Sequence, residues 1–166
     1  ELHYEIQNLL AAGCDDDLLL GGSSRVWQVV KLHSSDRSEF VINLGAKNLK
    51  RNQKRTKSFP HFERPDGAWF DFALIARADL NQPIEIISYS FELRLDDVKW
   101  QSRPAHERVP AYVRFDLNPH DHPNATLGHR CHVHIGSEAF SMPSAWLSPL
   151  EILDLFIRGF VPSGRG

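Results

Sequence analysis

The chain has 166 residues, 42% of them hydrophobic and 24% charged, and a formal net charge of −2. That length suits one domain over residues 1–166, and the apolar share is enough to build a core, which excludes wholesale disorder. The near-neutral balance excludes a uniformly basic nucleic-acid coat, although it leaves room for a local patch.

Leu2 to Ala12 reads as a helix, because Leu2, Ile6, Leu9 and Leu10 recur at helical spacing and Gly13 supplies a stop. An acidic run, Asp15-Asp16-Asp17, and a Gly21-Gly22-Ser23-Ser24 loop follow. Val26 to Leu32 and Phe40 to Leu44 are apolar and β-branched, and the polar residues between them predict a hairpin. Residues 46–65 then carry Lys47, Lys50, Arg51, Lys54, Arg55, Lys57 and Arg64 against Glu63 alone. Lys47, Lys50, Arg51 and Lys54 would share one helical face, so this segment is expected to be a short helix or a basic loop. Such a run fits an RNA or other polyanion backbone, and its binding would weaken with salt. The first 22 residues balance it with Glu1, Glu5 and the three aspartates, so mutual neutralisation is the alternative.

Trp69 to Ala76 and Ile84 to Leu95 are the longest strand signals, joined through Asn81-Gln82-Pro83. Gln101 to Pro110 reads as a loop. Ala111 to Leu117 and Arg130 to Ile135 follow as strands around the loop Asn118 to Gly128. The chain then closes on a strong helix signal: Ser148-Pro149-Leu150-Glu151 combines an N-cap, a first-turn proline and a capping-box glutamate. Leu150, Leu153, Phe156, Ile157 and Phe160 give that helix an apolar stripe. About six strands joined by short turns imply an α+β fold, a mainly antiparallel sheet with the N- and C-terminal helices packed on one face.

Histidine is the outlier in composition. The chain has 9, and His120, His122, His129, His132 and His134 fall between residues 120 and 134. Strand alternation groups Arg130, His132 and His134 on one face and Cys131, Val133 and Ile135 on the other, toward the core. The same rule groups Tyr112, Arg114 and Asp116 against Val113, Phe115 and Leu117. Paired strands would therefore gather Tyr112, Arg114, Asp116, Arg130, His132 and His134 on one surface.

Three chemistries suit that set. In metal-independent phosphodiester cleavage, His132 and His134 act as the acid–base pair, Arg114 or Arg130 stabilises the phosphorane charge, and Asp116 orients a histidine. In a metal site, His132 and His134, with His120, His122 or Asp116, ligate a divalent cation. The third is anion recognition without catalysis, as in a binding or adaptor subunit of a larger complex. The two cysteines, Cys14 and Cys131, stand in no paired motif, and no apolar run approaches the roughly 20 residues of a bilayer span. A reducing cytosol and no membrane are the expectation.

The run Val113-Arg114-Phe115-Asp116, a His-containing loop, His132-Val133-His134-Ile135 and then Pro149-Leu150-Glu151-Ile152-Leu153 is similar to TumE-like bacterial toxins of toxin–antitoxin pairs. These show R-[YF]-D … H-x-H ahead of a C-terminal helix, and the resemblance covers the last third of the chain. It implies growth arrest or antiviral defence, RNA as the target and a cognate antitoxin as partner. The leading expectation is an endoribonuclease-like enzyme that needs no cofactor. A metal-dependent hydrolase using the same histidines and a non-catalytic adaptor are the alternatives.

Overall fold

The computed structural model describes residues 1–34, 38–45, 55–79, 81–95, 104, 106, 109–123 and 129–160. Among these, α1 spans Leu2–Asp15, α2 Ser23–Val29 and α3 Pro149–Arg158. The strands are β1 Val30–Ser34, β2 Glu39–Leu44, β3 Phe62–Glu63, β4 Trp69–Arg77, β5 Glu85–Arg94, β6 Tyr112–Leu117, β7 Cys131–Ile135 and β8 Ser141–Pro143. They form one antiparallel meander ordered β1-β2-β4-β5-β6-β7-β8, with β3 also paired to β4. β2 and β3 share one edge of β4, taking Ala73 to Arg77 and Trp69 to Phe70 respectively. The α+β expectation holds; the two strands beyond the predicted six are the short β3 and β8.

The core lies between one sheet face and the terminal helices. Phe70, Phe72 and Leu74 of β4 alternate inward beside Phe91 and Leu93 of β5, and all five are sealed from solvent. Phe72 and Phe91 stack at 5.1 Å, while Phe156 of α3 reaches Phe70 at 5.7 Å and Phe115 at 6.1 Å. Ser148 accepts from the Glu151 N–H and the Glu151 carboxylate accepts from the Ser148 N–H, so the capping box forms as read.

Two local expectations need correction. Gly13 does not stop α1. It lies inside the helix, where an added Cβ would meet Leu19 at 3.2 Å and Ile157 at 3.3 Å, so glycine permits the close approach of α1 to its neighbours. Asp17, at φ 57°, makes the reversal instead, and the Leu18 and Leu19 N–H groups return to the Gly13 carbonyl. The strand expected from Val26 begins at Val30, because Ser23 to Val29 is helical. Its β-branched residues gave a strand-like signal, but only Val26 of that helix is buried and Trp27 projects outward.

Arg64, counted above with the basic segment, has a different task. Its buried guanidinium donates to the carbonyls of Phe156 and Gly159 at 3.0 and 2.7 Å and pairs with Asp66. It therefore caps the C-terminus of α3, where a cation also complements the helix dipole.

Candidate metal centre

The sheet face turned away from the helices is polar, and register explains how. Asp71, Glu92, Arg114 and His134 are successive cross-strand partners over β4, β5, β6 and β7. The next row runs Ala73, Ser90, Asp116 and His132. The sequence reading thus places Tyr112, Arg114, Asp116, His132 and His134 on one face as observed.

Burial departs from expectation at β7. His132 and His134 are 6% and 8% exposed, whereas Ile135, assigned to the core, is 39% exposed. Parity was right and coverage was not. The helix layer reaches Phe115 and Cys131 but leaves Ile135 open, while the histidines are held from either side by the flanking chain.

That holding fixes the rings. His132 Nδ1 lies 3.2 Å from the His129 carbonyl, and His134 Nδ1 lies 3.3 Å from the Ser137 carbonyl. A carbonyl only accepts, so each Nδ1 carries the hydrogen, and in its neutral form each ring presents an Nε2 lone pair. Both lone pairs face Asp116 Oδ2, at 3.7 Å from His132 and 3.6 Å from His134. One donor atom from each of the three residues lies within 4.8 Å of the others. Donors around a tetrahedral zinc-like ion stand roughly 3.3 Å apart, so small side-chain rotations would close the set. Burial pushes the His132 pKa below its ordinary value, opposed by the Asp116 charge and aided by His134. With both rings neutral, two lone pairs and a carboxylate converge on one region, and Arg114 Nε already donates to the shared Asp116 oxygen.

Arg114 stands beside this point. Its Nε donates to Asp116 Oδ2 at 2.8 Å, and its two terminal nitrogens donate to Glu138 at 2.5 and 2.8 Å. Burial works against the cation, but the hydrogen bonds and charges of Glu138 and Asp116 outweigh it and raise the guanidinium pKa. The same contact lowers the Glu138 carboxyl. Tyr112 donates its hydroxyl to Glu138 at 3.0 Å, and burial, with that hydrogen bond next, pushes its pKa up to about 12.

The other expected site residues fall elsewhere. Arg130 donates to the Asn118 and Ile87 carbonyls, at 2.9 and 3.3 Å, and so braces strand ends. His120 is exposed, 3.7 Å from Glu85, and His122 lies in the turn after β6; neither belongs to the converging set. Of the basic run, Lys47, Lys50, Arg51 and Lys54 lie outside the described residues. Lys57 pairs with Glu63 at 2.6 Å. Arg55 reaches the polar face, 2.5 Å from Asp71 and 3.7 Å from Glu92, and donates to Ser90 at 2.8 Å. Glu138, Glu92, Asp71 and Arg94 were missed by the sequence reading. For Asp71, Glu92 and Arg94 the available signal was their alternation with Phe70, Phe72, Phe91 and Leu93 in two otherwise apolar strands.

Asp71 sits directly across from Glu92 and is almost wholly buried. Burial raises its pKa to about 6, with Arg55 opposing and Glu92 reinforcing. Between its ordinary 3.8 and about 6, the folded chain therefore holds a proton that the unfolded chain releases. Asp71 then contributes stability that declines as pH rises through that window. In urea unfolding at stepped pH, the stability difference between the parent and Asp71→Asn should fall from pH 4 to 6. His132 titrates in both proteins and cancels; a pH-independent difference would contradict the assignment.

No protein-family model matches the chain, and no curated protein and no solved structure matches it. No helix among the described residues is long and apolar enough to cross a membrane.

Proposed function

We propose that the protein is a divalent-metal-dependent hydrolase of RNA phosphodiesters, with Asp116, His132 and His134 as metal ligands. The observation that carries this reading is the convergence of two Nε2 lone pairs on one carboxylate oxygen. An acid and a base serving an in-line displacement must address opposite apical oxygens, which favours rings that bracket the phosphorus over rings that share a point. Charge favours the same reading. Around the site Asp71, Glu92, Asp116 and Glu138 outnumber Arg55, Arg94 and Arg114, so with neutral histidines the face accommodates a cation.

A zinc-class ion bound there would supply a polarised water at neutral pH. His129 and Ser137 orient the ligand rings through their carbonyls, as hydrogen-bond partners of metal-ligating histidines commonly do. Arg114 and Tyr112 lie beside Asp116 and Glu138 to meet phosphate oxygens. RNA as substrate rests on the charge of the basic run 47–57, of which Arg55 reaches this face, and on the likeness to TumE-like toxins. A toxin or defence role in the cytosol, with an antitoxin as partner, belongs to the same proposal; both cysteines being free accords with it.

The competing reading keeps His132 and His134 as a metal-independent acid–base pair, favoured by the proximity of Asp116 to both rings. Incubation of purified protein with total RNA separates the two. Cleavage should appear with added Zn²⁺ or Mn²⁺, vanish with chelator and be absent from the His132→Ala/His134→Ala variant. Cleavage that persists in chelator and needs the histidines would install the acid–base mechanism instead. No cleavage under any condition would leave the adaptor role and overturn both.

A further inference from the structure

The donors that grip Glu138 form a cradle. Arg114 is secured from behind, through Nε to Asp116 and by Glu92 3.6 Å from Nη1. Its outward edge, Nη1 and Nη2, faces both oxygens of Glu138, and the Tyr112 hydroxyl adds a third donor to one of them. Tyr112 is itself buried and braced, with the Arg94 guanidinium 5.2 Å over its ring. The donors are thus braced from behind, whereas their ligand stands at the surface. Glu138 is 68% exposed and arrives on the turn after β7. That turn leaves the strand at Gly136, whose N–H binds the Tyr112 carbonyl and whose φ of 67° suits glycine, so the chain doubles back over β6.

A planar fork with two parallel donors recognises carboxylate and phosphate by the same geometry. We propose that Tyr112 and Arg114 form an oxyanion subsite for a substrate phosphoryl group, and that Glu138 occupies it as a displaceable internal plug. The subsite adjoins the ligand set, because Arg114 Nε shares Asp116 Oδ2 with both histidines. It rests on the hydrolase reading for the identity of the substrate, but the cradle itself needs no metal. The plug neutralises the half-buried cation until an anion takes its place, and because Glu138 itself stands at the surface an incoming oxyanion can reach the same donors.

The test is calorimetric titration with inorganic phosphate in buffer containing chelator. Glu138→Ala should bind phosphate roughly five- to tenfold more tightly than the parent, since it loses both a competitor and a repelling charge. Glu138→Gln should move the same way by less. Asp154→Asn, an exposed change on α3, should leave phosphate affinity as in the parent. Adding Arg114→Gln to Glu138→Ala should abolish the gain. Equal phosphate binding by the parent and Glu138→Ala, an equal gain in Asp154→Asn, or no binding by any variant would overturn the subsite. Tight phosphate binding in Glu138→Ala alongside chelator-resistant RNA cleavage would uphold the subsite and overturn the metal reading alone.

Discussion

Alanine at Asp116, His132 or His134 is expected to remove the protein's affinity for Zn²⁺, measured by competition with a chromophoric chelator. Each residue supplies one of three donor atoms within 4.8 Å, so loss of any one leaves a two-donor remnant. The loss should exceed the ~10–100-fold that removing a ligand's own hydrogen-bond partner costs in metal sites. The histidines must also shed protons to bind, so affinity should fall as pH drops below the ordinary histidine range. His132 is less affected than an exposed imidazole, because burial already disfavours its charged form. A decisive contrast is His120→Ala, which alters an exposed ring outside the set and should leave Zn²⁺ affinity intact. Zn²⁺ binding that survives Asp116→Ala, or that His120→Ala abolishes, would move the centre elsewhere.

The largest stability loss is expected from Arg64→Met. Methionine approximates the aliphatic stem but leaves the α3 carbonyls of Phe156 and Gly159 without a donor and Asp66 without its cation. Removing one partner of a buried charged network costs about 3–5 kcal/mol. For a chain of this size that lowers Tm by roughly 6–20 °C. Arg64→Lys should recover only part of the loss, since one ammonium cannot span both the helix carbonyls and the carboxylate. Thermal unfolding followed by circular dichroism checks both. A change under about 3 °C for Arg64→Met would show that water replaces the cap without cost.

Much of this architecture was legible in the sequence, for identifiable reasons. The long strands β4 to β7 alternate or run apolar over several residues, and α3 announces itself with a capping box and a proline. The face shared by Arg114, Asp116, His132 and His134 followed from parity alone, because the side-chain period of a strand is two. Coverage did not follow, since parity says which residues share a face and nothing about what lies over it. Ile135, expected in the core, is 39% exposed for that reason, while the two histidines lie buried. Arg64 and Arg55 looked like members of one basic run because local charge counting ignores distant partners. Arg64 meets α3 some ninety residues later, and Arg55 meets acids on β4 and β5. Glu138 was invisible as a site residue because its role depends on the turn at Gly136 carrying it back over β6.

The pairing of β6 with β7 has one more implication. The proposed metal ligands Asp116, His132 and His134, the donors Tyr112 and Arg114, and Glu138 all come from a single hairpin and the turn that follows it. Their spacing is therefore set by one ladder in which Arg114 opposes His134 and Asp116 opposes His132. A slip of that ladder by one residue would throw His132 and His134 to the opposite side of the sheet and dissolve the group at a stroke. The proposed chemistry is thus bound to a zipper's alignment, with Glu92 and Arg94 of the neighbouring β5 bracing it from the side.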